Sequence, residues 1–117
     1  MSREHLTPEL QLRLLTPECA LYSGRPSVAE REEVERHLSE PFWAIYWPGG
    51  QALARYLLDE GERLFDEVRK GTGGLSVLDV GAGCGAASIA AKLAGAELVV
   101  ANDIDEGWYN EWNTVNL

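Results

Sequence analysis

A chain of 117 residues has room for at most one domain, and one of this size buries only about two-thirds of its unfolded surface. Nineteen Asp and Glu against ten Lys and Arg leave a formal charge of -9, with the basic residues scattered; this argues against a nucleic-acid partner, because phosphate binding draws on grouped Lys and Arg. No apolar run approaches the roughly 20 residues that span a bilayer, and Cys19 and Cys84 stand far apart with no CxxC pair, which suggests neither a disulfide framework nor a zinc site and fits a reducing compartment.

The N-terminus "MSREHLTPEL" has neither a signal-peptide core nor an Arg-rich, acid-poor transit character. In "LTPELQLRLLTPEC" the motif LTPE occurs twice, and Leu10, Leu12 and Leu14 alternate with Gln11 and Arg13. Period two suggests a half-buried strand. Thr7-Pro8 and Thr16-Pro17 fit equally as N-cap and first-turn pairs of helices. "SVAEREEVERHL" reads as a surface helix capped by Ser27, with Val34 and Leu38 sharing a face. Its glutamates at 30, 32, 33 and 35 are expected to be a solvated face, not a metal site, and His5 and His37 carry no special role.

In "PFWAIYWPGGQALARYLLDEGERLFDEV" the chain breaks at Pro48, Gly49 and Gly50. A helix is expected from about Gly50, with an interruption near Gly61. "KGTGG" reads as a loop, "LSVLDV" as a buried strand, "CGAASIAAKLAGA" as a small-residue helix ending at Gly95, and "ELVVANDID" as a second buried strand. Strand, glycine turn, helix, strand is a right-handed βαβ unit, so the expected fold class is α/β with a parallel sheet.

In such a unit a ligand sits at the carboxyl ends of the strands, close to the backbone of the first turn. Gly81 allows the sharp exit from the strand, Gly83 removes a Cβ that would collide with the ligand, and Gly85 or Ala86 lets the helix pack tightly. Asp103, about 20 residues beyond the turn, is placed to accept ribose hydroxyls. Gly81, Gly83 and Ala86 also satisfy a GxGxxA dinucleotide pattern. Asp79 decides between the cofactors: a carboxylate there would repel a pyrophosphate, but favours the ammonium and sulfonium of S-adenosylmethionine.

The aromatics Phe42, Trp43, Tyr46 and Trp47 read first as packing and second as the wall of a pocket. Together, "LTPELQLRLLTPEC", "PFWAIYWPGGQALARYLLD" and "VLDVGAGCGAASIAAKLAGAELVVANDID" resemble the lysine methyltransferases that act on the electron transfer flavoprotein beta subunit, a branch of the seven-strand, Rossmann-like methyltransferases. The resemblance runs from about Leu6 to Asp105. It implies S-adenosylmethionine-dependent methylation of lysines on that subunit as protein substrate, without a nucleic-acid or membrane partner, in the mitochondrial matrix, with the cytoplasm as the alternative. By position it gives Asp79, Gly81, Gly83 and Gly85 as the cofactor loop, Asp103 as the ribose acid, and Trp47 as a pocket residue. Cys84, at the helix start, is read with a lowered pKa but receives no catalytic role.

The expected organisation is an N-terminal strand, helix and aromatic segment over 1–47, a cofactor-binding βαβ part over 48–105, and a divergent tail over 106–117. The likeness stops after Asp105, so the chain is expected to be a truncated form carrying only the N-terminal part of the fold, inactive and poorly stable alone. In the tail, Trp108, Trp112 and Val115 are spaced to lay an apolar stripe over the sheet. The rival expectation is a non-catalytic interaction module, or another methyltransferase of the same fold.

Overall fold

The computed structural model describes residues 5–14 and 42–104. The helix expected over 27–38 with its glutamates and His37, the second LTPE motif, Cys19, and the tail stripe lie outside these residues.

After a single 3-10 turn at Phe42–Ala44, the elements are α1 (Pro48–Thr72), β1 (Ser76–Val80), α2 (Ala86–Leu93) and β2 (Leu98–Asn102). The strands pair in parallel, from Ser76 opposite Leu98 to Val80 opposite Asn102, with α2 as the crossover. This is the α/β, Rossmann-like arrangement read from the sequence, in its first βαβ unit.

α1 starts with Pro48 in its first turn, where the missing N–H costs nothing. It runs unbroken to Thr72. The interruption expected at Gly61 is absent for a packing reason: a Cβ on Gly61 would lie 2.7 Å from Ala94 Cβ. Glycine here allows α1 to approach the end of α2. The helix also absorbs most of "KGTGG", ending at Gly73, whose N–H reaches Arg69 O at 2.8 Å. α2 is shorter than expected, Ala86–Leu93, but Gly95 does close it: Ala96 N–H bonds Ala91 O and Gly95 N–H bonds Lys92 O, a Schellman motif.

The core fills the space between the inner sheet face, α2 and α1. Phe65, Leu75, Ala91 and Ala96 form one cluster, with Val77 and Val99 packed against it. Leu10, Leu12, Tyr46, Ala54, Ala86 and Ala90 form the other. The alternation holds at Leu10 and Leu12, which are buried while Gln11 and Arg13 are exposed, but the half-buried strand expected there does not form over the described residues 5–14. The helix alternative at Thr7-Pro8 is not adopted; Leu10 N–H bonds Thr7 O at 2.9 Å, closing a tight turn.

Both strands alternate exposed and half-buried residues. The continuous apolar character is that of strands covered on both faces in a complete sheet; with two strands among the described residues, Leu78, Val80, Leu98 and Val100 are exposed.

Candidate functional site

β1 ends at Val80, and the chain must turn sharply to enter α2 on one face of the sheet. Gly81, Gly83 and Gly85 make that turn with φ of +71°, +52° and +77°, a region that L side chains enter only at a cost. Gly85 N–H bonds Ala82 O at 2.8 Å, and Ala82 N–H bonds Asn102 O at 2.9 Å, which ties the turn to the end of β2. A Cβ on Gly81 would meet nothing within 4 Å, so its role is conformational. A Cβ on Gly83 would lie 3.9 Å from Trp43 O, an ordinary contact.

The two acids flank this turn. Asp79 Oδ2 accepts from the buried Ser88 hydroxyl at 2.6 Å. Asp103 Oδ2 accepts Gly83 N–H at 2.9 Å. Asp103 is thus a support of the turn as well as an expected ligand acid.

A cleft of about 220 Å³ opens beside the turn, lined among others by Tyr46, Trp47, Gly50, Asp79, Gly81 and Gly83. The structure therefore brings together four of the six residues singled out in the sequence: Asp79, Gly81, Gly83 and Trp47. Gly85 caps α2 and Asp103 holds the turn; neither lines the cleft. Asp79 is the one charged residue among the described lining residues, so a bound cation finds an opposite charge there and a phosphate finds repulsion. Trp47, at 51% exposure, presents an aromatic wall from the start of α1.

Sequence reasoning missed Ser88 and underrated Tyr46. Ser88 lies nine residues beyond Asp79, inside a run of small helix residues that reads only as packing. Tyr46 is at once a core residue and a lining residue, so packing and pocket wall were not alternatives. The lowered pKa expected of Cys84 is a misreading: burial pushes its thiol up, and the Asp79 charge adds to the effect, against backbone hydrogen bonds that pull down. No described helix is long and apolar enough to cross a membrane.

The residues fit an adenosine ligand with a cationic end. Left-handed glycines free the turn backbone for close approach, the aromatics give a stacking wall, and Asp79 supplies the counter-charge.

Residues 62–108, which hold the turn, match the family model described as ribosomal protein L11 methyltransferase (PrmA). Among curated proteins, the chain is 57% identical over 100 residues to the electron transfer flavoprotein beta subunit lysine methyltransferase of Homo sapiens, covering 86% of this chain and 32% of the human protein. The Danio rerio protein of that name is 49% identical over 105 residues, covering 90% of this chain and 35% of its own length. The Caenorhabditis elegans homolog is 43% identical over 105 residues, covering 90% and 37%. The chain thus spans about a third of the length of these relatives. No solved structure matches it. Over the residues that it shares with them, the chain is related to the electron transfer flavoprotein beta subunit lysine methyltransferases and carries the βαβ unit of a Rossmann-like methyltransferase fold.

Proposed function

We propose that the chain is the cofactor-binding part of a protein-lysine methyltransferase that uses S-adenosylmethionine and acts on the electron transfer flavoprotein beta subunit. The observation that carries this reading is Asp79 as the charged lining residue of a cleft built on a glycine turn, in a sequence 57% identical to the human relative. S-adenosylmethionine supplies a methyl group on a cationic sulfur, which a neutral lysine amine takes.

The chain's own residues bind and orient. With the cofactor bound, Gly81 and Gly83 would let the adenosine approach the backbone, Asp79 would answer the ammonium of the amino-acid end, Trp47 would cover it, and Asp103, which keeps Gly83 in place from outside the cleft lining, would offer its carboxylate to ribose hydroxyls. Fixing the methyl donor in one orientation is worth several kcal/mol of the barrier, because alignment is settled before the amine arrives. No described residue is assigned as the group that takes the lysine proton.

The PrmA description names a different acceptor, but that match covers only residues 62–108; it speaks for the cofactor side, whereas the flavoprotein enzymes match along 86% or more of the chain. A matrix location comes with that substrate. The test has two arms. Calorimetric titration with S-adenosylmethionine and with NAD is expected to give binding of the first alone; NAD binding without it refutes the cofactor. Incubating the protein made from its complete gene with labelled cofactor and the flavoprotein is expected to label lysines on the beta subunit. Absence of label leaves only a binding role.

A further inference from the structure

The N-terminal segment reaches the cleft through one tyrosine. Thr7 is fully buried, and its hydroxyl lies 2.8 Å from Tyr46 OH and 2.9 Å from His5 Nδ1. Thr7 N–H also donates to His5 Nδ1 at 3.2 Å, so that nitrogen is an acceptor. The donors are thereby ordered: Tyr46 O–H gives to Thr7 Oγ1, and Thr7 O–H gives to His5 Nδ1. A buried hydroxyl is tolerated only when it is bonded, and this one is bonded twice.

The same tyrosine is held from its backbone side. Gln51 Nε2 donates to Tyr46 O at 2.9 Å, while Gln51 Oε1 accepts Leu6 N–H at 3.3 Å. The His5 ring stands edge-on to the Tyr46 ring, centroids 5.0 Å apart at 77°. Arg55 then fastens the segment to α1, donating to Leu6 O at 3.3 Å and to Glu9 at 2.9 Å. Three kinds of contact from residues 5–7 converge on Tyr46, and Tyr46 lines the cleft together with Asp79 and the glycine turn.

We propose that Thr7 is a positioning residue of the cleft: by bridging Tyr46 OH to His5 Nδ1 it fixes the Tyr46 ring as a wall facing the glycine turn, which makes the N-terminal segment part of the ligand site. The inference rests on the reading of this cleft as an S-adenosylmethionine site. Thr7 touches no ligand; it acts through the tyrosine. The hydrogen bond spans 39 residues, so ligand affinity depends on a segment far from the turn in sequence.

The experiment measures S-adenosylhomocysteine binding by the full chain and by Thr7→Val, Thr7→Ser, Tyr46→Phe and the Thr7→Val/Tyr46→Phe double variant, with thermal unfolding of each without ligand. Thr7→Val is expected to weaken binding about five- to tenfold, Thr7→Ser to stay within twofold of wild type, and Thr7→Val to cost little more in the Tyr46→Phe background, since the bond that positions the ring, Thr7 to Tyr46, is the one both changes remove. Wild-type affinity in Thr7→Val and Tyr46→Phe, or a loss that Thr7→Ser shares in full, overturns the proposal. Hydrogen exchange in the ligand-free chain supplies a second readout: residues 44–52 are expected to exchange faster in Thr7→Val, and not in Thr7→Ser, with residues 62–70 of α1 unchanged. If the wild-type chain binds no S-adenosylhomocysteine, the cofactor reading fails, and exchange alone decides: unchanged exchange over 44–52 overturns the positioning role.

Discussion

Ser88 Oγ donates to Asp79 Oδ2 at 2.6 Å, joining the helix after the glycine turn to the carboxylate before it. Ser88 is fully buried, so its hydroxyl has one use here, and Asp79 keeps a fixed orientation at the cleft with its second oxygen free of that bond. A charge held in place is worth more to a ligand than a mobile one, because no reorganisation is needed on binding.

Asp79→Asn therefore separates shape from charge. The amide keeps an acceptor oxygen for Ser88 and loses the counter-charge. S-adenosylmethionine and S-adenosylhomocysteine, which both carry the ammonium of the amino-acid end, are expected to bind about tenfold more weakly, or about 1.4 kcal/mol. Adenosine, which lacks that end, is expected to bind as before. Calorimetry with the three ligands checks this, and an equal loss for all three would mean that Asp79 shapes the turn without answering the cation.

Gly61 and Ala94 give a stability prediction. An alanine at 61 gains helix propensity, about 1 kcal/mol, but its methyl would sit 2.7 Å from Ala94 Cβ, a rigid neighbour that yields only if the helices part. Overpacking of that kind costs about 1–3 kcal/mol. Gly61→Ala is expected to lower stability to urea, and Gly61→Ala in an Ala94→Gly background to raise it. The reversal of sign is the observable, and destabilisation in both backgrounds would place the cost elsewhere.

What the sequence made legible is what is local. The strand, glycine turn, helix and second strand of residues 76–102 follow from runs of apolar residues punctuated by glycine, and Asp79 was placed by its distance from the turn. Gly61 was misread because a glycine that breaks a helix and one that admits a neighbouring helix look alike until Ala94 is known to lie beside it. The Thr7–Tyr46 bond was out of reach for the same reason: Thr-Pro at 7–8 has the chemistry of a helix start, and only the fold shows it as a turn that buries its hydroxyl. Asp103 was assigned to a ligand alone, whereas its carboxylate also accepts from the turn that it faces.

Two groups at the cleft resist deprotonation when folded. Burial pushes the Tyr46 hydroxyl up, against the hydrogen bond it shares with Thr7, and burial pushes the Cys84 thiol up. Each neutral form is favoured by the fold, so the stability it brings is complete below the ordinary pKa values, about 8.5 for Cys and about 10 for Tyr, and is lost as pH rises through the raised folded values. Urea midpoints are expected to fall between pH 8 and 11, and Cys84→Ala and Tyr46→Phe each to flatten the fall relative to wild type. Iodoacetamide should modify Cys84 at pH 8 more slowly than free cysteine, measured in a Cys19→Ser background. A Cys84 that reacts faster than free cysteine would restore the lowered pKa that its position at a helix start suggested.

The outer face of the sheet sets the behaviour of the chain in solution. Leu78 and Val80 on β1 are 65% and 74% exposed, Leu98 and Val100 on β2 are 55% and 49% exposed, and the register puts Leu78 opposite Val100. These are neighbours on one surface, not scattered apolar residues, and a contiguous apolar patch beside parallel strands invites association. Because the four side chains contribute little burial within the chain, replacing them costs little: Leu78→Lys with Val100→Glu, an opposite-charge pair across the strands, is expected to change unfolding stability by no more than about 0.5 kcal/mol. The same exchange at Val77, which faces Phe65 and Ala91 from the inner side, is expected to unfold the chain. Sedimentation velocity over a range of concentrations then reads the effect: the wild-type chain is expected to shift to larger species as concentration rises, and the Leu78→Lys/Val100→Glu variant to hold one small species throughout. Equal association of the two would place the sticky surface elsewhere, and loss of folding in the double variant would mean that this face packs against something within the chain.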